Sequence, residues 1–177
     1  DGIGEISINQ QTDYPWDGQV RLEINKLKGK KTFKLKLRKP SWCDNYQLKK
    51  NDQVINVSEE HGYIIIDDIW KRGDIISFNM EMKTHIMEAN PLVEESRGQV
   101  AIQRGPIVYC MESQDLNGID IDNVIIPLNT QFKPVETTIA NSRIMALECE
   151  VAVRKEASWK STLYRDASTE KQRKTIR

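Results

Sequence analysis

Three cysteines and two histidines carry the strongest metal-binding or nucleophilic chemistry in this sequence. Cys43, Cys110 and Cys149 are widely spaced, and no two of them form the short C-x-x-C spacing that zinc sites use. Their odd number argues against a disulfide framework. We therefore predict that they are small buried hydrophobic residues at strands or strand edges. His61 and His85 could form a two-histidine metal site, but surface or turn positions are favoured for both.

Adjacent carboxylates occur at Glu59–Glu60, Asp67–Asp68 and Glu94–Glu95. A glycosidase needs two carboxyl groups that face each other across a cleft. Neighbouring acids on one loop are more often solvated, so none of these pairs is a favoured catalytic candidate. The sequence also lacks the glycine-rich motifs of dinucleotide and phosphate binding and the G-x-S-x-G motif of hydrolases. No catalytic residue, metal ligand or cofactor-binding residue is therefore assigned.

Aromatic side chains supply a third kind of chemistry, because sugars present apolar C–H faces that pack on aromatic rings. Tyr14 and Trp16 stand together next to a predicted turn, Trp42 follows a predicted strand, and Trp159 stands in a polar segment. These four residues are candidates for contact with a sugar or with another domain. Packing over the end of a core is the alternative interpretation, and for Trp16 it is the favoured one.

Alternation of apolar and polar residues with a period of two dominates the chain. It is clear in 20–25, in 33–38, in 76–82 and in 144–153, and each run predicts a strand with one buried face. The segment 70–74 predicts a tight turn in which glycine takes a positive φ. About nine short strands with regular turn signals precede residue 112. The predicted fold class is therefore all-β, with an antiparallel β-sandwich.

Composition changes between Ser113 and Asp122, where acidic residues and glycine indicate a loop or linker. We therefore predict a β-sandwich domain over residues 1–112 and a smaller β subdomain over residues 113–177. The C-terminal segment of the subdomain is a candidate to return to the first sandwich.

The charge balance narrows the class of partner. The chain has 177 residues, of which 26 are basic and 26 acidic, so its formal net charge is zero. This balance removes the electrostatic reason to predict binding of nucleic acid or of an anionic membrane. No apolar run approaches the length of a membrane span. The sequence indicates no cellular compartment, and a periplasmic and a cytoplasmic location both stay open.

Several segments, in the same order, resemble the β-L-arabinofuranosidase-like glycoside hydrolases, a bacterial family once described as a domain of unknown function. Together the matches span nearly the whole chain, and they are weaker after residue 113. The segments are QTDYPWDG (11–18), PSWC (40–43), WKRGD (70–74), EANP (88–91) and RGQVAIQRGPIVYCME (97–112).

The resemblance implies that the catalytic domain of the family is an N-terminal α/α-barrel that performs retaining hydrolysis. A cysteine nucleophile works there beside a zinc ion held by one glutamate and cysteines. That machinery is carried by a Glu-x-Cys element and a Cys-Cys pair upstream of the Tyr-Pro-Trp-Asp-Gly segment, and neither is present here. Glu148 and Cys149 have the residue types but the wrong spacing. No catalytic or metal residue carries over, and zinc is expected only in the catalytic domain of the parent.

The segments that do match correspond to the β-sandwich region that follows the barrel in this family. We therefore expect a non-catalytic portion of a larger hydrolase, with the catalytic α/α-barrel of the same polypeptide as its main partner. A homodimer and an arabinose-containing glycan are the other candidate partners, and a carbohydrate-binding module is the alternative function. We expect Asp1 to lie just after the barrel and Arg177 to fall one strand short of a complete sandwich.

Overall fold

The computed structural model describes residues 4–29, 31–116, 118–154, 163–164 and 171–176. These residues form β-strands and short 3-10 helices, and no α-helix occurs among them, so the predicted all-β class is confirmed. The strands are β1 (Gly4–Thr12), β2 (Gln19–Gly29), β3 (Thr32–Arg38), β4 (Tyr46–Lys50), β5 (Gln53–Val54), β6 (Ser58–Glu60), β7 (Tyr63–Ile69), β8 (Ile75–Met80), β9 (Thr84–Glu88), β10 (Val100–Arg104), β11 (Ile107–Tyr109), β12 (Val124–Ile125), β13 (Phe132–Ile139), β14 (Ser142–Arg154) and β15 (Lys171–Ile176). The 3-10 helices are Glu94–Ser96, Ser113–Leu116 and Ile121–Asn123.

The first of two compact units comprises Asp1–Lys83 and Arg104–Ile107. It contains a five-stranded sheet in the order β1-β2-β8-β4-β5 and a three-stranded sheet in the order β3-β7-β6. Neighbouring strands run antiparallel in both sheets, as the alternating pattern predicts. Apolar side chains from both sheets meet in one core, so this unit is a β-sandwich.

The core of the first unit follows the period-two pattern of the sequence. Along β2, Leu22 and Ile24 are buried while Arg21 and Asn25 are exposed. Burying an aliphatic or aromatic side chain of this size contributes roughly 1.5–3 kcal/mol. The buried side chains of this core come from both sheets and their connections: Leu22, Ile24, Cys43, Leu48, Ile64, Ile66, Trp70, Ile76, Phe78 and Met80.

Trp70 lies at a polar corner of this core and is fully buried. Its indole Nε1 donates a hydrogen bond of 2.8 Å to the carbonyl of Phe33, and the two rings stack with centroids 5.5 Å apart. The Lys50 ammonium lies 4.6 Å from the indole centroid, in a cation–π contact. Lys50 Nζ also donates to Asp68 Oδ2 at 2.8 Å and to the carbonyl of Ile69 at 3.0 Å. Lys50 therefore joins β4 of the first sheet to β7 of the second.

Asp74 completes this corner and is only 1% exposed. Its carboxylate accepts hydrogen bonds of 3.0 Å from Asn51 Nδ2 and from the backbone amide of Lys71, and Lys50 Nζ lies 3.5 Å away. Asn51 Oδ1 in turn accepts a bond of 2.9 Å from the amide of Ile75, where β8 begins. A buried charge needs such partners, because desolvation without them is costly. Below, the Asp74 corner means Lys50, Asn51, Asp68, Trp70 and Asp74.

The turn that carries Asp74 has the predicted backbone. Gly73 has a φ of 86°, which confirms the expected positive value. Its amide donates to the carbonyl of Ile24 at 2.8 Å, and the amide of Ile24 donates to the carbonyl of Asp74 at 3.0 Å. The turn is therefore bonded directly to β2.

The second compact unit comprises Thr84–Gln103 and Val108–Arg177. One of its sheets has the order β11-β10-β9, and the other has β14 paired with β12, β13 and β15. Tyr109 donates its hydroxyl hydrogen to the carbonyl of Met145 at 3.0 Å. Five buried residues form the core on the β14 sheet: Leu116, Cys149, Val151, Val153 and Ile176.

The two units divide the chain at a different place from the composition boundary at 113. Residues 84–103 and 108–112 group with the second unit, and β15 pairs with β14. The composition change reflects the exposed connection around the 3-10 helices Ser113–Leu116 and Ile121–Asn123, whereas the division into units follows which strands pack together. A polar connection inside one unit and a linker between two units have the same composition, so the sequence does not distinguish them.

Replacing Asp74 by alanine should destabilise the first unit by about 2–4 kcal/mol. The substitution leaves the Asn51 amide and the Lys71 backbone amide without their acceptor inside the corner. Urea unfolding at neutral pH measures this loss. The matched control is Asp44→Ala at an exposed position, which should change stability by less than about 0.5 kcal/mol. Equal stabilities for the two variants would contradict the role given to the corner.

Stability should fall in acid because two carboxylates of the corner have lowered pKa values. Burial opposes ionisation of Asp74, but bonds from Asn51 and Lys71 and the Lys50 charge outweigh it, so its pKa lies below the ordinary 3.8. The hydrogen bond from Lys50 lowers the pKa of Asp68 in the same way. A depressed folded pKa contributes stability that is present above the unfolded pKa and lost as pH falls through the folded one.

We therefore expect the free energy of unfolding to be steady between about pH 7 and pH 5 and to fall below about pH 4. Urea titrations at these values measure it. Asp74→Asn cannot titrate at this position and should lose less stability in acid than the wild-type chain. A steeper acid loss in that variant would contradict the assignment.

Candidate functional site

The β1–β2 connection, residues 13–18, carries two of the aromatic candidates and is held by several local hydrogen bonds. Thr12 Oγ1 donates to the carbonyl of Gln19 at 2.6 Å and accepts from the amide of Tyr14 at 3.1 Å. The amide of Trp16 donates to the carbonyl of Asp13 at 2.9 Å. These bonds fix the connection at the end of the first sheet.

Close packing of backbone explains the glycine of this connection. The amide of Met80 donates to the carbonyl of Gly18 at 2.9 Å. A Cβ at position 18 would lie 2.0 Å from the carbonyl oxygen of Met80, which is too close for any side chain. From the other side, Arg104 Nη1 donates to the carbonyl of Trp16 at 3.0 Å. Two sequence-distant segments therefore position this loop.

Two of the aromatic candidates meet. The rings of Tyr14 and Trp42 stack with centroids 6.4 Å apart and an interplanar angle of 20°. Tyr14 is 40% exposed, while Trp42 is half-buried and packs against the core of the first unit. Trp16 is half-buried, and Trp159 lies outside the described residues. The pair therefore has one accessible ring, and the role of all four residues in binding stays a prediction.

Two adjoining hollows lie beside this loop on the first unit. One has a volume of about 460 Å³ and the other about 500 Å³, within the usual range of small-molecule sites. Asp17, Gln19 and Asn79 line both hollows. Among the other lining residues, Gln11, Arg21 and Ser77 belong to the first hollow and Asn45, Gln47, Glu81 and Arg104 to the second. Polar and apolar surface contribute about equally to both hollows. Sequence reasoning missed them because exposed amides on different strands have no signal in the linear sequence.

The cysteines have the environment of structural residues in two of three cases. Cys43 and Cys149 are buried, as predicted, and burial raises the pKa of both thiols. A raised pKa disfavours the thiolate that a nucleophile or a metal ligand needs. Cys110 is exposed, so the prediction was wrong there. The reason is that β11 ends at Tyr109, which leaves Cys110 beyond the strand.

The two histidines belong to different compact units, and His61 Nε2 lies 3.8 Å from Glu60 Oε1. The His61 side chain is 90% exposed, and this residue is in a turn with a φ of 49°. His85 lies on β9 in the second unit. Across the described ranges, no group of three or more histidine, cysteine or acidic residues could hold a metal ion. The same ranges contain no helix of the length and hydropathy that a bilayer crossing requires.

In each of the three adjacent pairs, at least one carboxylate is bonded to a lysine or an arginine. Glu59 accepts hydrogen bonds from Lys39 Nζ at 2.8 Å and from the Tyr46 hydroxyl at 2.7 Å, and these two bonds lower its pKa. Burial, together with the bond to Glu59, raises the pKa of Tyr46 to about 12. A catalytic acid needs the opposite shift, to a raised carboxyl pKa. Asp68 belongs to the Asp74 corner, and Glu94 pairs with Arg97 at 3.5 Å.

Two family models match this chain in succession. Residues 2–82 match the β-L-arabinofuranosidase middle domain of glycoside hydrolase family 127, and residues 84–153 match the family 127 C-terminal domain. The junction between the two matches coincides with the boundary at 83/84 between the compact units.

Relatives agree with the family models. The chain is 32% identical over 119 residues to a non-reducing end β-L-arabinofuranosidase of Bifidobacterium longum subsp. longum. Among solved structures it is similar to a glycoside hydrolase (38% identity, TM-score 0.86, 98% of this chain). It is also similar to a family 127 β-L-arabinofuranosidase from Geobacillus stearothermophilus T6 (29% identity, TM-score 0.88, 99% of this chain).

The chain spans only part of each of these relatives. The aligned region covers 64% of this chain and 18% of the Bifidobacterium enzyme, and the structural matches cover 29% and 28% of the two solved chains. The resemblance to β-L-arabinofuranosidase-like hydrolases that the sequence motifs indicated is therefore confirmed for this region. The chain belongs to glycoside hydrolase family 127, and its residues 2–82 and 84–153 correspond to the middle and C-terminal domains of that family.

Proposed function

We propose that this chain is a non-catalytic accessory portion of a β-L-arabinofuranosidase-like hydrolase, which supports the catalytic domain of the same polypeptide. The observation that carries the proposal is the pair of family matches to a middle and a C-terminal domain, in a chain that covers less than a third of each relative. The catalytic α/α-barrel that the sequence resemblance implies is the partner of this portion. Formation of a homodimer is a further part of the proposed role.

The chemistry of the described residues supports a non-catalytic role. Cys43 and Cys149 are buried thiols with raised pKa values, which makes them weak nucleophiles. Glu59 and Asp68 have lowered pKa values because each accepts a hydrogen bond from a lysine. Such carboxylates are poor proton donors at neutral pH. The ionisable groups in these positions stabilise the fold instead.

The zinc ion that the resemblance implies does not fit the residues described here. A zinc site built from glutamate and cysteines needs several ligands that converge at about 2.0–2.3 Å from one point. The described residues contain no such group of ligands. This includes Cys110, the exposed cysteine. We therefore assign the zinc to the catalytic domain of the parent enzyme.

The accessory role predicts a clear difference in turnover. The isolated chain should release no arabinose from an aryl β-L-arabinofuranoside, whereas the parent enzyme should hydrolyse it. Metal analysis of the same samples should find zinc in the parent and none in stoichiometric amount in the isolated chain. Turnover by the isolated chain that survives purification to homogeneity would overturn the proposal.

A carbohydrate-binding module is the second candidate function, and the Tyr14–Trp42 stack favours it. An exposed ring that a second ring holds in place offers a flat surface for a sugar. Tyr14 lies at the end of the first sheet, in the β1–β2 connection whose residues Asp13 and Asp17 line the hollows. The unit thus places an aromatic surface beside groups that can bond to hydroxyls.

Tyr14→Ala should abolish any change of tryptophan fluorescence on titration with arabinotetraose, because the stack on Trp42 would be lost. The matched control is Tyr63→Ala, since Tyr63 is equally exposed at 40% but lies on β7 away from this loop. Equal responses of the wild-type chain and both variants would contradict sugar stacking at Tyr14.

A further inference from the structure

Three neutral amide side chains form an in-register row across the outer face of the five-stranded sheet. Gln19 on β2 pairs with Asn79 on β8, and Asn79 pairs with Gln47 on β4. All three are exposed, whereas the flanking residues Phe78 and Leu48 are buried. Neighbouring strands lie about 4.8 Å apart, so the row is roughly 10 Å long. Below, the amide row means Gln19, Asn79 and Gln47.

The amide row has free hydrogen-bonding capacity. None of its three side chains forms a hydrogen bond with another residue in the described part of the chain. Each side-chain amide offers two donors and an acceptor oxygen with two lone pairs. A row of such groups can donate to and accept from a ligand at several successive points.

The row lines the two hollows beside the β1–β2 connection. Gln19 and Asn79 line both hollows, and Gln47 lines the second. The walls carry charges of both signs, with Asp13, Asp17 and Arg21 in the first hollow and Asp17, Glu81 and Arg104 in the second. Because acidic and basic residues differ by only one in each hollow, a polyanion or a polycation gains little electrostatic advantage there.

We propose that the amide row is the binding site of a neutral oligosaccharide, which lies across strands β2, β8 and β4. Sugar hydroxyls both donate and accept hydrogen bonds, and the amides of the row complement them in both senses. The length of the row suits a ligand of more than one sugar ring. Two relatives of this chain are named β-L-arabinofuranosidases. We therefore expect the ligand to be an arabinose-containing oligosaccharide. This inference rests on the carbohydrate-binding function proposed above as the second candidate.

Calorimetric titration of the full chain with arabinotetraose tests the proposal. We expect binding at millimolar sugar, unchanged between about 50 mM and 500 mM NaCl because the row is neutral. Asn79→Ala should weaken binding about fivefold or more, which corresponds to the loss of one or two neutral hydrogen bonds. The matched control is Asn9→Ala, an exposed amide on β1 that lines neither hollow, and it should bind as the wild-type chain does.

Three outcomes would overturn the amide-row site. They are absence of heat at millimolar sugar, equal binding by the Asn79 and Asn9 variants, and concentration-dependent dimerisation that Asn79→Ala abolishes. The last would mean that a second copy covers the row. Thermal unfolding of each variant excludes loss of fold as the cause. Arabinose release is measured in the same samples, so failure of the accessory role would appear as turnover, independently of whether the row binds sugar.

Discussion

The buried carboxylate of Asp74 is the constraint on which the first unit depends. It is nearly inaccessible, yet it carries a charge that needs Asn51, Lys71 and Lys50 around it. Through these partners it joins the β4–β5 hairpin to the turn before β8 and, through Lys50, to β7. The corner fixes where β8 begins. Since a slip by one residue turns every side chain to the opposite face, this start also fixes the face on which Asn79 lies.

Among the described residues, several charged side chains have partners that stabilise the fold. In each adjacent pair of carboxylates at least one member is bonded to a lysine or an arginine, and the lowered pKa values of Glu59 and Asp68 make both stronger acids. The two buried thiols are held protonated by desolvation. By contrast, the outer face of the five-stranded sheet holds neutral groups with unused hydrogen-bonding capacity. That distribution agrees with the accessory role that we propose.

Local patterns in the sequence predicted much of the fold. Alternation along β2, β3 and β14 indicated strands because each has one buried face, and Gly73 indicated its turn because only glycine adopts that φ at low cost. The division at 83/84 and the amide row were missed because both depend on which distant strands pair. In the sequence, Gln19 and Gln47 look like ordinary exposed residues. Only the pairing of both strands with β8 brings them into one row with Asn79. The family resemblance, not the strand pattern, indicated a hydrolase.

The most direct measurement of the central claim is turnover by a parent enzyme from which the region equivalent to this chain has been deleted, with and without this chain added in trans. An accessory portion that supports the catalytic domain predicts low turnover or low thermal stability after deletion, and at least partial recovery when the chain is added. Full activity and unchanged stability of the deleted enzyme would contradict the account.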